Sequence, residues 1–175
     1  PVPEGFVVSA PEEITEVPGP VMVKAQVLIG GRGKAGGIKP AENVDEAREV
    51  ASKILGMDIR GYVTKKVLVE KRIAVEREIY LGATIDRSRR SVMFMASPDG
   101  GMDIESVPED RLLMVPIDQF VGYQPFIGRR IASFVGLKGP QASQMVAICD
   151  RLYRLMVSED AELVEINPLV VTSDG

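Results

Sequence analysis

Apolar and polar positions along the chain follow two periods, one typical of strands and one typical of helices. Runs rich in apolar and β-branched residues predict strands at 21–28, 67–70, 77–86, 91–96 and 163–171, with a weaker candidate at 104–107. Apolar residues at spacings of three and four predict helices at 44–54, 126–134 and 140–157. Helices mixed with hairpin-like strands predict two α/β lobes, not one all-parallel sheet.

The first predicted helix carries its own start and stop signals. Asn43 stands before it as an N-cap, and Glu46 follows three residues later, which is a variant of the capping box. Gly56 stands just past the apolar pattern, where a glycine often ends a helix. These signals predict the two ends of a helix, and we expect its apolar face to pack in a core.

A glycine-rich segment interrupts the pattern after the strand predicted at 21–28. Residues 30–37 read Gly-Gly-Arg-Gly-Lys-Ala-Gly-Gly. Glycine permits positive φ, and successive bare N–H groups in such a turn form a nest for anions. Four nearby cations favour phosphate as the ligand. They are Lys24, Arg32, Lys34 and Lys39. The alternative is a flexible glycine loop with incidental lysines.

The same segment contains a GxGxxG pattern at Gly31, Gly33 and Gly36, with Asp58 near the place of a ribose-binding acid. That pattern raises the alternative of a Rossmann-type NAD-binding module. In a Rossmann unit the helix opens at the loop itself, whereas here 37–40 intervene before any helix cap. No Gly-Lys-Ser/Thr follows, so the segment is not a P-loop.

Oxygen-bearing side chains at strand ends are candidates to complete a nucleotide site. Glu70 and Glu78 could accept hydrogen bonds from ribose hydroxyls or an exocyclic amine, or each could be a solvated strand-end charge. Glu165 and Asn167 are two residues apart on a strand, where an amide or carboxylate oxygen suits Mg²⁺. Asn167 could equally be a turn former before Pro168.

The amino-acid composition excludes some classes of function. A formal net charge of −4 argues against non-specific nucleic-acid binding, and no apolar run reaches the roughly 20 residues of a membrane span. The chain has no histidine, so a step that needs one must borrow it from elsewhere. Cys149, the single cysteine, is expected to be a buried thiol in a reducing compartment.

Taken in order, these segments resemble the β subunits of succinyl-CoA synthetase and related acyl-CoA ligases. The matching pieces are 23–26 with 30–37, 68–70, 78–83, 86–88, 94–97, 100–101 and 165–170. The resemblance implies an ATP-grasp fold of two lobes with mixed sheets enclosing a nucleotide cleft. It places the smaller lobe at 1–73 and the larger at 74–175, cut short at its C-terminal end.

The resemblance also implies the ligands and their residues. Phosphates of ATP or GTP would bind Lys24 and the segment Gly31, Arg32, Gly33, while base and ribose would contact Glu70, Ile73 and Glu78. Asn167 would bind Mg²⁺. The phosphoryl group would pass to a histidine of a partner α subunit, so no catalytic residue is expected here. The whole enzyme would join succinate, or a similar dicarboxylate, to CoA in the cytoplasm, or in the mitochondrial matrix of a eukaryote.

The ends of the chain depart from that family. Its members carry a helix before the position of Pro1, and a second magnesium-binding aspartate and a CoA-ligase domain after the last residue here. We therefore expect a fragment with a weak metal site that is inactive alone. Two alternatives remain open beside the Rossmann reading: an ATP-grasp ligase that joins a carboxylate to an amine through an acyl phosphate, and a non-catalytic interaction domain.

Overall fold

The computed structural model describes residues 2–173, and the chain divides between Ile73 and Ala74 into two compact units. Each unit combines a four-stranded sheet with helices, which confirms the α+β class. Every strand pairing among the described residues is antiparallel, so the expectation of mixed sheets is wrong. No helix in this part of the chain is long and apolar enough to cross a membrane.

The first unit is built on a sheet of strand order β1-β6-β2-β3. Its elements are β1 (Gly5–Val8), β2 (Val21–Ala25), β3 (Ile38–Ala41), α1 (Val44–Ile54), β4 (Asp58–Ile59), β5 (Tyr62–Val63) and β6 (Val67–Lys71). β2 alternates buried and half-buried residues, as a strand with one covered face does. The covered face packs in one core with Ala47, Ala51 and Ile54 of α1.

The ends of α1 follow the predicted signals. The Asn43 side chain accepts a hydrogen bond from the Glu46 N–H at 3.0 Å, and Glu46 reaches back to the Glu42 N–H at 2.9 Å. Gly56 lies just past the helix with a φ of +82°. The capping prediction is confirmed, because caps depend on neighbours in sequence.

The second unit is built on a sheet of strand order β10-β7-β8-β9. Its elements are β7 (Val75–Asp86), β8 (Ser91–Ser97), β9 (Leu113–Pro116), α2 (Pro125–Phe134), α3 (Gly139–Ser158) and β10 (Leu163–Thr172). Ile79, Leu81 and Ala83 of β7 are fully buried in one core with both helices. Cys149 of α3 is buried there too, as predicted.

Strand predictions failed where pairing depends on distant residues. The predicted strand at 21–28 ends at Ala25, and the strand candidate at 104–107 contains a 3-10 turn, Ile104–Ser106. Residues 104–107 join neither four-stranded sheet. No sequence pattern predicted β1, β3, the β4–β5 hairpin or β9.

The topology also excludes the Rossmann alternative for the glycine-rich segment. β3 follows that segment and pairs antiparallel with β2, so no helix N-terminus meets the loop. The Asp58 carboxylate, the candidate ribose acid, accepts the Gly61 N–H at 2.8 Å inside the β4–β5 hairpin.

Candidate functional site

Lys24 and Glu70 form an ion pair on the face of the first sheet opposite α1. Glu70 of β6 lies opposite Met22 of β2, so Lys24 is its diagonal neighbour. The Lys24 Nζ is 2.5 Å from Glu70 Oε1, and the two side chains are 26% and 17% exposed. An incoming anion must therefore compete with the Glu70 carboxylate for the Lys24 ammonium.

The glycine-rich loop is folded tightly on itself. The N–H groups of Ala35, Gly36 and Gly37 donate to the carbonyls of Gly31, Gly33 and Arg32, at 3.1, 3.0 and 2.8 Å. Gly31 and Gly36 have φ values of +78° and +79°, a region that strongly favours glycine. These internal bonds fix the loop in one conformation.

The start of the same loop presents unused backbone donors. Within residues 2–173, no acceptor is found for the N–H groups of Gly31, Arg32 and Gly33. The Arg32 guanidinium turns back along the loop and donates to the Ala25 carbonyl at 3.0 Å. Consecutive free N–H groups beside positive charge are the donor set of an anion nest.

Ile73 lies at the end of the first unit, two residues past β6. Its N–H and C=O make no hydrogen bond to any other residue in 2–173. A free backbone donor and acceptor side by side can pair with the edge of a nucleobase.

Glu78 lies in the second unit against the Gly100–Gly101 turn. The Gly100 N–H donates to the Glu78 carbonyl at 3.1 Å. The Glu78 carboxylate lies so close to Gly101 that a Cβ there would collide with it, and Gly101 has a φ of +72°. The turn therefore holds the backbone of Glu78 and leaves room for its carboxylate.

Asn167 of β10 makes two hydrogen bonds to the backbone of the same turn. Its Oδ1 accepts the Gly101 N–H at 2.8 Å, and its Nδ2 donates to the Met102 carbonyl at 3.0 Å. An amide oxygen has two lone pairs, so one remains for a cation. No group of three or more acidic, histidine or cysteine side chains in residues 2–173 could hold a metal by itself.

Glu165 has a different partner from Asn167. Its Oε2 accepts the hydroxyl of the buried Tyr80 at 3.1 Å. Gly82 lies opposite Glu165 in the sheet, and its missing side chain leaves room for the Tyr80 ring. Burial, and then the negative charge of Glu165, raise the pKa of Tyr80, so its hydroxyl stays protonated and a donor.

The structure thus gathers the predicted residues into two groups. The first unit holds Lys24, Gly31, Arg32, Gly33, Glu70 and Ile73, and the second holds Glu78 and Asn167. Gly100 and Gly101 entered the sequence analysis only as part of the family resemblance, and their contacts with Glu78 and Asn167 were not predicted. Adjacent glycines were the available signal.

Antiparallel α+β units with a glycine-rich loop that presents N–H donors for an anion define a broad class of protein. Within that class the chain belongs to the ATP-grasp family, since the family model described as an ATP-grasp domain matches residues 1–171.

Named relatives agree with this placement. Succinate–CoA ligase [ADP-forming] subunit β of Pyrobaculum arsenaticum is 46% identical over 99% of this chain and 48% of its own length. The protein of the same name from Chloroflexus aurantiacus is 46% identical over 100% of this chain and 48% of its own length. The chain spans about half the length of the curated relatives it matches.

A solved structure shares the fold. The dinucleotide-forming acetyl-coenzyme A synthetase 1 of Ca. Korarchaeum cryptofilum, in complex with coenzyme A and Ca-AMPCP, superposes with a TM-score of 0.72. The match has 15% identity and covers 100% of this chain and 82% of that one.

Proposed function

We propose that this chain is the nucleotide-binding part of the β subunit of an acid–CoA ligase of the succinyl-CoA synthetase kind. The family match and the relatives named succinate–CoA ligase support the proposal. The observation that carries it is the glycine-rich loop, whose start presents free N–H groups just after the strand that bears Lys24.

In this proposal the two units, 1–73 and 74–175, are lobes that close around ATP or GTP. Lys24 and the N–H groups of Gly31, Arg32 and Gly33 bind the phosphates. The base and ribose bind Glu70, Ile73 and Glu78. The Lys24–Glu70 pair supports a site that changes partners, because the ammonium can leave the carboxylate for a phosphate.

Mg²⁺ bound together with the nucleotide would take at least one oxygen ligand from this chain. Mg²⁺ commonly takes most of its ligands from phosphates and water, so the protein would supply only a few oxygens. The exposed Asn167 Oδ1, with its second lone pair, is the oxygen we assign. When bound, the ion neutralises charge on the phosphates.

The γ-phosphoryl group then passes to a histidine of the partner α subunit. A P–N bond forms to the imidazole while the bond to the β-phosphate oxygen breaks and the nucleoside diphosphate leaves. This chain has no histidine, which is consistent with such a division of work. The whole enzyme uses the phosphohistidine to activate succinate or a similar dicarboxylate for CoA, in the cytoplasm or in a mitochondrial matrix.

The binding free energies indicate that the proposed lobes must exclude water from the nucleotide site. A lysine–phosphate pair at about 4 Å contributes roughly 1 kcal/mol in water, whereas micromolar binding requires about 8 kcal/mol. Surface cations alone fall short. Backbone donors, a base pocket and the metal ion supply the difference.

Titration calorimetry of the full-length subunit with its partner tests the nucleotide site. We expect Lys24→Ala and Glu78→Ala to abolish measurable MgATP binding. Lys53→Ala is the matched control, because among residues 2–173 Lys53 pairs with Glu49 alone, on the exposed side of α1. Wild-type affinity in both site variants would refute the proposal.

Phosphoryl transfer tests the partner. With γ-labelled ATP we expect an acid-labile phosphate on a histidine of the α subunit, and none when that histidine is replaced. A label that appears only as an acyl phosphate of the carboxylic acid would assign the chain to carboxylate–amine ligases.

A further inference from the structure

The β4–β5 hairpin turns through Arg60 and Gly61, an unusual choice of residues. Both have positive φ, +54° and +87°, as a two-residue hairpin turn of type I′ requires. Asparagine, aspartate and glycine dominate the first position because other side chains are strained there. The turn by itself therefore gives no reason for an arginine at position 60.

The hairpin packs on the glycine-rich loop through two neighbouring residues. The fully buried Ile59 lies under Gly37, where a Cβ would come within 2.7 Å of Ile59 Cδ1. The Arg60 guanidinium lies over Gly31, 3.1 Å from the position that a Cβ would occupy. Glycine at 31 thus lets the guanidinium approach the loop backbone.

The charge at this contact is not balanced. Within residues 2–173 Arg60 makes no ion pair and no hydrogen bond. The N–H groups of Gly31, Arg32 and Gly33 beside it also lack acceptors in that part of the chain. Several donors and a positive charge meet with no acceptor, an arrangement that a bound anion stabilises.

We propose that Arg60 is a phosphate-binding residue of the nucleotide site, with its guanidinium completing the anion nest formed by Gly31, Arg32 and Gly33. The inference rests on the proposed function for the identity of the ligand, a nucleoside triphosphate. A guanidinium presents several N–H donors in a plane and suits phosphate oxygens, which accounts for arginine at a strained position.

Arg60→Asn is the informative variant. Asparagine is favoured in the turn, so the hairpin keeps its shape while the cation is lost. Arg90→Asn is the matched control, since Arg90 also has positive φ, +52°, in the β7–β8 turn of the other unit. Calorimetry of the full-length subunit with its partner would compare MgATP, MgADP, pyrophosphate and adenosine.

We expect Arg60→Asn to weaken MgATP, MgADP and pyrophosphate by at least about tenfold, corresponding to about 1.4 kcal/mol. Adenosine should bind unchanged, and Arg90→Asn should match the wild type throughout. Unchanged phosphate affinity in Arg60→Asn, or an equal loss for adenosine, would overturn the inference. If pyrophosphate showed the loss while the wild type bound no MgATP, the anion site would stand and the proposed function would fail.

Discussion

Two structural reasons favour glycine at position 101. Its φ of +72° strains any other residue, and a Cβ would collide with the Glu78 carboxylate. The first reason concerns stability alone, whereas the second concerns a candidate ligand of the nucleotide. A substitution separates them, because other glycines in the chain have only the first reason.

We predict that Gly101→Ala lowers the free energy of unfolding by about 1 kcal/mol and also weakens MgATP binding in the full-length subunit, because the carboxylate must move. Gly56→Ala is the control, since Gly56 has a φ of +82° with open space around it. Thermal unfolding and calorimetry check both. Equal nucleotide affinity in the two variants would show that Glu78 does not depend on its contact with Gly101.

At the scale of elements, the segment between β8 and β9 is held at several points. Asp99 and Arg111 form a two-bond ion pair, and Asn167 binds the backbone between them. The Arg111 guanidinium lowers the pKa of Asp99 below its ordinary value of 3.8. The pair therefore stabilises the segment at neutral pH.

The sign of this shift gives a pH prediction. Because the folded pKa is lowered, the contribution of the pair is present above about pH 3.8 and is lost as the pH falls through the folded pKa. We expect hydrogen exchange of the Gly101 amide, relative to its intrinsic rate, to increase below that pH. Arg111→Gln should show the faster exchange already at neutral pH, and an unchanged Arg111→Gln would contradict the assignment.

At the scale of the whole molecule, the two units have separate cores. One core contains Ile54 and the sheet of the first unit, and the other contains Cys149 and both helices of the second. Burial raises the pKa of the Cys149 thiol to about 12, so it is a poor nucleophile in the folded protein. The thiol is therefore a reporter for the second unit alone.

We predict that Ile54→Ala lowers the stability of the first unit by about 2–5 kcal/mol but leaves Cys149 protected from a thiol reagent at unchanged denaturant concentration. Met145→Ala, in the second core, should expose the thiol at lower denaturant. Parallel loss of protection in both variants would mean that the units unfold as one.

The sequence by itself determined what depends on near neighbours. It predicted α1 with its caps, the helices at 125–134 and 139–158 within one residue, and the long strands of the second unit. It also supplied the glycine-rich segment and the ordered motifs behind the family resemblance. Periodicity and capping act over a few residues, so a single chain displays them directly.

Only the tertiary structure decided which distant residues meet. Lys24 and Glu70 are 46 residues apart, and Gly101 and Asn167 are 66 apart, yet each pair is in hydrogen-bond contact. The short strand β9 and the contact of Arg60 with Gly31 likewise depend on what packs beside them. No local pattern encodes such contacts, because they are set by the order of strands in each sheet and by which edges and faces pack together.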